Sequence, residues 1–494
     1  MEAADRKFRR LHPLTLVHRA GAATLAFVLM ITSNNDFSIV ILIFTVVYAV
    51  VLAPWLIAQY IRFTYHVSER EIFINSGVFS HVRRNIPVGR IQNVAIERNI
   101  LARLLGTAAV KIETAGSTAA EGVLAYVGLA EAHRIRTLLR SGAAHAMEEN
   151  TLPAAASAPD FAMSIGRVLL SGVYQFSLGY FVLVFAIFGQ AQQFGIFGPE
   201  EITNWLFGDM AEAFIGRLLE FPLLVGIAIA LIAVLLGWVT GIVVNLFRHY
   251  NFRLELRTEK IYRCYGLTTL REGTLPYGRV QSLLICSNPL MRLRQWFRLE
   301  MQTLGFEGGH YQGFQLAMPF AKWNDVMALA PRICSFSLPD SYESVANVTV
   351  RRMGLRYSLA LVVLVGTVYL FWKPAIWGLG VMPLLWVLAL LQYWCHGWAF
   401  VDENLVIRRG AIRQRLWIVP AERFQAFQTS ATFFQRQLGV CSLTVDTAGA
   451  GILRRPKIID LHTETANLLT HTLYDVFQST TSPSHSATES RSLL

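Results

Sequence analysis

Charge is scarce in this chain. Of its 494 residues only 16% are charged, against about a quarter in a soluble globular domain. Hydrophobic residues make up 53% and the mean hydropathy is +0.41, so much of the surface must face something other than water. Cysteine is also rare. Cys264, Cys286, Cys334, Cys395 and Cys441 are scattered without a Cys-x-x-Cys spacing, which argues against a disulfide framework or a zinc site and fits a reducing compartment. The net charge is +11, yet no run of Lys or Arg is long enough for a nucleic-acid arm. Nucleic acid is therefore not an expected partner; in a membrane protein such an excess marks the cytoplasmic side. Motifs of catalysis are missing too: there is no His-Glu-x-x-His, no Gly-x-Ser-x-Gly, no phosphate-binding Gly-x-x-x-x-Gly-Lys and no dinucleotide fingerprint. No catalytic residue, metal ligand or cofactor is expected, and the chain reads as a binding protein rather than an enzyme.

What the chain has instead is long apolar runs. A helix that crosses a bilayer needs about 20 of them, and six stretches qualify: Leu14–Ser33, Phe37–Ala58, Val168–Phe188, Pro222–Phe247, Met353–Trp372 and Ala375–Tyr393. Arg19 and Arg356 lie near one end of their runs, where arginine can snorkel to head groups. The runs pair into three expected transmembrane hairpins, the first retained as an anchor rather than cleaved as a signal peptide. The turns Asn34-Asn35-Asp36 and Lys373-Pro374 are short, and the longer Gly189–Phe221 is acidic. The segments between hairpins are rich in arginine, so both termini and all soluble segments are expected on the cytoplasmic face of a multi-pass protein. Span centres lack ionisable residues, which leaves a transporter without a polar lining; an accessory subunit of a transport or export system stays open as an alternative.

The soluble segments repeat. Residues 75–94, 264–283 and 408–427 align without a gap. Gly77, Gly266 and Gly410 share a column, as do Pro87, Pro276 and Pro420, then Arg90, Arg279 and Arg423, then Gln92, Gln281 and Gln425. The same offsets reach Arg103, Arg292 and Arg436, and end at Gly116, Gly305 and Gly449. Alternating apolar residues predict strands before and after the glycine, with the glycine at positive φ in a hairpin turn. The proline marks a strand end. A helical turn follows at Asn99–Leu105. Amphipathic helices over Gly128–Arg140, Phe320–Ile333 and Thr463–Phe477 close the copies.

The string Ile86-Pro87-x-x-Arg90-Ile91-Gln92, then Arg103-Leu104-Leu105-Gly106, then Thr114-Ala115-Gly116 resembles the bacterial pleckstrin-homology-like domain. Copy two departs at Gln295 and Leu304, copy three at Phe424 and Gln437. Three such domains, each preceded by a membrane hairpin, resemble the YdbT-like family of bacterial membrane proteins. The resemblance implies a seven-stranded, bent β-barrel capped by a helix, no catalytic residues, and a role in binding proteins or in self-association.

The expected architecture is thus α + β, six membrane helices in three hairpins, each hairpin followed by a PH-like domain. In residues this gives hairpins at 1–61, 164–247 and 353–394, domains at 62–142, 248–335 and 395–478, linkers at 143–163 and 336–352, and a disordered tail at 479–494. The repeated arginines have two readings: a basic pocket for lipid phosphate, or donors that tie down turns through backbone carbonyls or an internal acid. Their presence in diverged copies favours the second. Arg83, Arg84, Arg408 and Arg409 are not repeated in copy two and are the better candidates for anionic lipid. His66, His249 and His396 follow the membrane runs and read as interfacial fillers rather than pH sensors. Expected partners are membrane lipids and either a second copy or a smaller membrane protein carrying the same domain, with the chain acting as a scaffold in the bacterial cytoplasmic membrane.

Overall fold

The computed structural model describes residues 8–16, 20–21, 46–68, 70–114, 122–144, 158–175, 222–303, 313–371, 373–448 and 454–481. The chain forms two compact units, Met1–Glu255 with Tyr262–Thr274, and Leu256–Ile261 with Leu275–Leu494. The division falls inside the second copy of the repeat.

In the first unit, β1 (Arg9–Arg10) and helix α1 (Ala53–Arg62) precede β2 (Thr64–Val67), β3 (Glu71–Ser76) and β4 (Val82–Pro87). Then come β5 (Ile91–Asn99), α2 (Ile100–Leu104), β6 (Thr107–Thr114), β7 (Gly122–Gly128) and α3 (Leu129–Ala144). The next copy begins with β8 (Phe161–Ala162), α4 (Ile165–Tyr174) and α5 (Pro222–His249), followed by β9 (Arg253–Leu256), β10 (Lys260–Tyr265) and β11 (Thr269–Pro276). Alternation on the strands puts Ile72, Ile74 and Ile86 of one sheet against Ile96, Val110, Ile112 and Leu124 of the other, and Ala132 and Ile135 of α3 close this core. One sheet runs β1-β2-β3-β4; the other runs β7-β6-β5-β11-β10-β9-β8. Three strands of the larger sheet, β5 to β7, therefore come from copy one and four, β8 to β11, from copy two.

The second unit repeats the arrangement. It contains β12 (Val280–Ser287), α6 (Pro289–Leu293), β13 (Trp296–Thr303), β14 (Phe314–Lys322) and α7 (Trp323–Ile333). After them come β15 (Glu343–Ser344), α8 (Val348–Tyr369), a 3-10 segment Lys373–Val381 and α9 (Met382–Trp394). Copy three then supplies β16 (Gly397–Val401), β17 (Asn404–Arg409), β18 (Gln414–Pro420), β19 (Phe424–Ser430), α10 (Phe433–Gln437), β20 (Val440–Thr447), β21 (Lys457–His462) and α11 (Thr463–Thr481). The sheet orders are β14-β13-β12-β18-β17-β16-β15 and β19-β20-β21. With its short leading strand, each copy contributes seven strands and a closing helix.

The repeated residues build the corners. Pro87, Pro276 and Pro420 are the last residues of β4, β11 and β18, and each is followed by one 3-10 turn, Val88–Arg90, Tyr277–Arg279 or Ala421–Arg423. Proline fixes φ and offers no N–H, so the strand ends there and the chain turns into the second sheet. Gly77, Gly266 and Gly410 have φ of +97°, +112° and +95°. A Cβ at these sites would stand 1.9, 2.1 and 2.3 Å from the carbonyl oxygens of Ser80, Thr269 and Arg413. A second left-handed column is Gly106 (φ +62°), Gln295 (+55°) and Gly439 (+65°); the turn survives glutamine, at the steric cost any L-residue meets there.

The membrane architecture requires correction. Among the described residues one helix, Lys373–Trp394, is long and apolar enough to cross a bilayer, with 22 residues and a mean hydropathy of 2.0. Six membrane helices in three hairpins are not supported among the described residues. Helix α4 ends at Tyr174, with Gln175 as its C-cap; the rest of the run Val168–Phe188 lies outside the described residues. Helix α1 continues directly from a π-helical segment, Tyr48–Leu52, and residues 37–45 of that run lie outside the described residues. Helix α8 carries Arg351, Arg352 and Arg356 in its first turns, and Arg352 is bound to the domain through Asp460. Apolar content counts residues across helix ends and across turns fixed to a soluble core; a membrane helix cannot. Close approach does occur where glycine allows it: a Cβ on Gly172 of α4 would lie 2.4 Å from the Ile242 Cα of α5. Most of the runs Leu14–Ser33 and Val168–Phe188, residues 37–45 of the second run, the acidic Gly189–Phe221 loop and most of the 479–494 tail lie outside the described residues.

The two left-handed columns predict opposite outcomes. Gly410→Val must lose about 1–3 kcal/mol, read as a lower melting temperature of the purified chain in detergent, whereas Ile412→Thr, at an exposed neighbour, changes little. Gln295→Gly relieves its φ and is expected to gain roughly 1 kcal/mol.

Candidate functional site: a basic cavity at the root of the third copy

Helix α8 enters the second unit beside β21 and meets a buried acid there. Asp460 is fully buried in a left-handed conformation, φ +61°. Its Oδ2 accepts from Arg352 Nε at 2.9 Å and Nη2 at 2.6 Å, and its Oδ1 accepts from Gln435 Nε2 at 2.7 Å. A buried carboxylate needs this degree of compensation, so one guanidinium is committed to it. On the next turn Tyr357 donates to Gln392 Oε1 of α9 at 2.8 Å, and Gly354 lets the Trp386 ring of α9 lie against the α8 backbone.

These contacts enclose a cavity of about 210 Å3 lined by Arg352, Met353, Arg356, Tyr357, Gln392, His396, Arg409, Gly410 and Ile459. Arg356 and Arg409 form no ion pair or hydrogen bond among the described residues. His396 is 3% exposed, and neither of its ring nitrogens has a partner. Burial, and then the Arg409 charge, push its pKa down to about 4, with Asp460 opposing, so the ring is neutral at pH 7. Burial, and then Arg409 and Arg352, also lower the Lys457 ammonium. The local field is positive beyond what Asp460 cancels, and the site suits a small anion with several oxygens. A neighbouring cavity of about 490 Å3 shares His396 and is lined by Tyr342, Tyr393, Trp394 and Arg408, with the Arg408 guanidinium 4.4 Å above the Tyr342 ring.

Of the arginines singled out in sequence, Arg408 and Arg409 at the end of β17 line these two cavities. Arg83 and Arg84 are exposed on β4 in the other unit. Three of the repeated arginines meet backbone carbonyls, but in a neighbouring copy. Arg103 Nη1 donates to the Leu267 carbonyl at 2.9 Å, Arg292 donates to the Ala411 carbonyl, and Arg423 Nη1 donates to the Gly278 carbonyl at 3.1 Å. Gln281 is buried and donates to the Arg279 carbonyl at 3.4 Å; Gln425 is exposed. The side chains of Arg90 and Gln92, and residues Gly116, Gly305 and Gly449, lie outside the described residues. Sequence reasoning missed Arg352, Tyr357 and Gln392, and treated Arg356 as a snorkelling residue. The available signal was three arginines within six residues at the start of an apolar run. His249, buried and hydrogen-bonded to Asn245 at 3.1 Å, is structural.

The tandem sheets, their helical caps and the membrane-length helix define a class. Residues 20–143, 213–333 and 345–476 each match the Bacterial PH domain family, and the chain belongs to it. Among curated proteins it is similar to the UPF0699 transmembrane protein YdbT of Bacillus subtilis (strain 168), 22% identical over 445 residues, covering 84% of this chain and 86% of that one. No solved structure matches. The exposed apolar residues fit a membrane-associated protein: Leu370, Phe371, Trp377 and Leu384 are 66–89% exposed.

The neutral histidine gives a pH signature. Unfolded, His396 takes up a proton near pH 6.5; folded, it does so only near pH 4. Stability is unaffected by this group above pH 6.5 and falls as pH drops through the window from 6.5 to 4, by about 3 kcal/mol in all. Melts of the full chain across that window should show a steeper loss for the native protein than for His396→Leu. Parallel curves would contradict the assignment.

Proposed function

We propose that the protein is a non-enzymatic scaffold of the bacterial cytoplasmic membrane. Its PH-like domains lie on the cytoplasmic side, as the arginine-rich soluble segments suggest, and the cavity of the third copy receives the phosphate of an anionic lipid head group. The observation that carries this reading is the position of two uncompensated guanidinium groups. Arg356 and Arg409 line one cavity, while the membrane-length helix ends at Trp394, two residues before His396. A bilayer-crossing helix places its end at head-group level, where Tyr393 and Trp394 suit the interface. The cavity mouth then lies where lipid phosphates are. Arg83 and Arg84, exposed on β4, would add roughly 1 kcal/mol each of diffuse, salt-screened attraction to an anionic leaflet.

The test is titration of the full chain in detergent with short-chain phosphatidic acid, phosphatidylcholine and inorganic phosphate. The phosphatidic acid is expected to bind best. Arg356→Gln with Arg409→Gln removes two charge-assisted contacts and should weaken it by at least about tenfold, with the melting temperature kept. Equal affinity of variant and native chain, or no preference over phosphatidylcholine, counts against the reading.

A further inference from the structure

Two strands, one in the first copy of the repeat and one in the last, lack the neighbour that their equivalents have. The ladders between copies are antiparallel and share one register. In the first, β5 meets β11 with Ile96 opposite Glu272 and Glu97 opposite Arg271. In the second, β12 meets β18 with Ile285 opposite Leu416 and Cys286 opposite Arg415. Aligned without gaps, Ile96, Ile285 and Thr429 occupy one column of the repeat, and Arg83, Glu272 and Leu416 another. Both ladders therefore pair the same two columns. The equivalents left over are β19 in copy three and β4 in copy one, each the terminal strand of its sheet among the described residues.

Burial follows the pairing. All of β12 is buried, and β18 is buried from Leu416 to Pro420. By contrast Val82–Asn85 of β4 are exposed, as are Gln425, Ala426 and Gln428–Ser430 of β19. The arginine that clamps each ladder is also left over. Arg103 and Arg292 donate across the ladder to the carbonyls of Leu267 and Ala411, which share a column with Val78. Their equivalent, Arg436, is exposed and has no side-chain partner among the described residues.

We propose that β19 of one molecule pairs with β4 of a second copy of this chain, continuing the repeat across molecules. The register follows from the two internal ladders: Thr429 opposite Arg83, Ser430 opposite Val82, with Arg436 donating to the Val78 carbonyl. A second copy is the fitting occupant because it supplies at once the strand that each edge lacks. No pair of like charges faces across the new ladder, since β19 carries no charged residue. The contact is heterologous, so it builds head-to-tail rings or filaments rather than a two-fold dimer, by the backbone pairing that exposed edges invite. It is independent of the lipid cavity.

The test uses full-length chains in detergent. Chains carrying Thr429→Cys are mixed with chains carrying Arg83→Cys and oxidised; a covalent dimer forms between the two variants. Thr429→Cys mixed with Phe79→Cys, four residues out of register, and the unmodified chain are the controls and give little. By native mass spectrometry the unmodified chain populates dimers and larger species, and Arg436→Ala weakens their formation roughly tenfold while its melting curve stays unchanged. A chain that remains monomeric at every concentration, or equal cross-linking out of register, overturns the proposal. So does association seen only when a different protein bearing the same repeat is added.

Discussion

Two antiparallel backbone ladders, β5 to β11 and β12 to β18, constrain everything else in this protein. Each repeat is bent at a proline into two small sheets, and a bend of that kind leaves the strands on either side of it with open edges. An open edge is a row of unmet hydrogen-bonding groups, and here consecutive copies meet each other's. The sheets that result belong to pairs of copies, which is why the compact units divide the second repeat instead of separating it from its neighbours. Stability in such an array is a sum of repeats and the interfaces between them, so removing one copy leaves an open edge on the next.

The columns of glycine, proline and arginine were legible because each answers a local need that sequence displays: a positive φ, a strand end, a donor at a fixed distance along the chain. The short helix that carries each clamp was expected in the first copy, at Asn99–Leu105; in all three it is capped by Asn99, Asn288 or Thr432, whose side chains accept from the amides of Ala102, Met291 and Gln435. The sharing of sheets was not legible. A ladder is made of backbone groups that every residue carries, so the columns announce a strand without naming its partner. That is why the repeated arginines read as internal donors when Arg103 and Arg292 serve the following copy. The membrane helices were misjudged for a related reason. Hydropathy measures what a stretch of residues would like to be buried in, and it does not register the Asp460 carboxylate, a hundred residues away in sequence, that holds Arg352 against the domain just before the apolar run.

The same carboxylate links fold to function. Asp460 fixes the first turns of α8 against the third copy, and the packing of Gly354 on Trp386 brings α9 alongside. Together they carry the membrane-length segment to a defined point on the domain. The cavity is a consequence of that attachment: Arg352 is used to neutralise the acid, while Arg356 and Arg409 keep their charge facing open space beside a histidine held neutral by burial. On the function proposed above, lipid would be met at the joint between helix and domain, and the sheet edges would be left to protein contacts.

The claim on which the account rests is that consecutive copies share continuous sheets, and backbone hydrogen–deuterium exchange of the full chain in detergent tests it most directly. The account predicts that amides of Leu283–Ser287 and Gln414–Ile418 exchange as slowly as those of β13, inside the same sheet, because they are closed by partners in another copy. Rapid exchange along both segments, with β13 protected, would mean that the copies fold as separate domains and would contradict it.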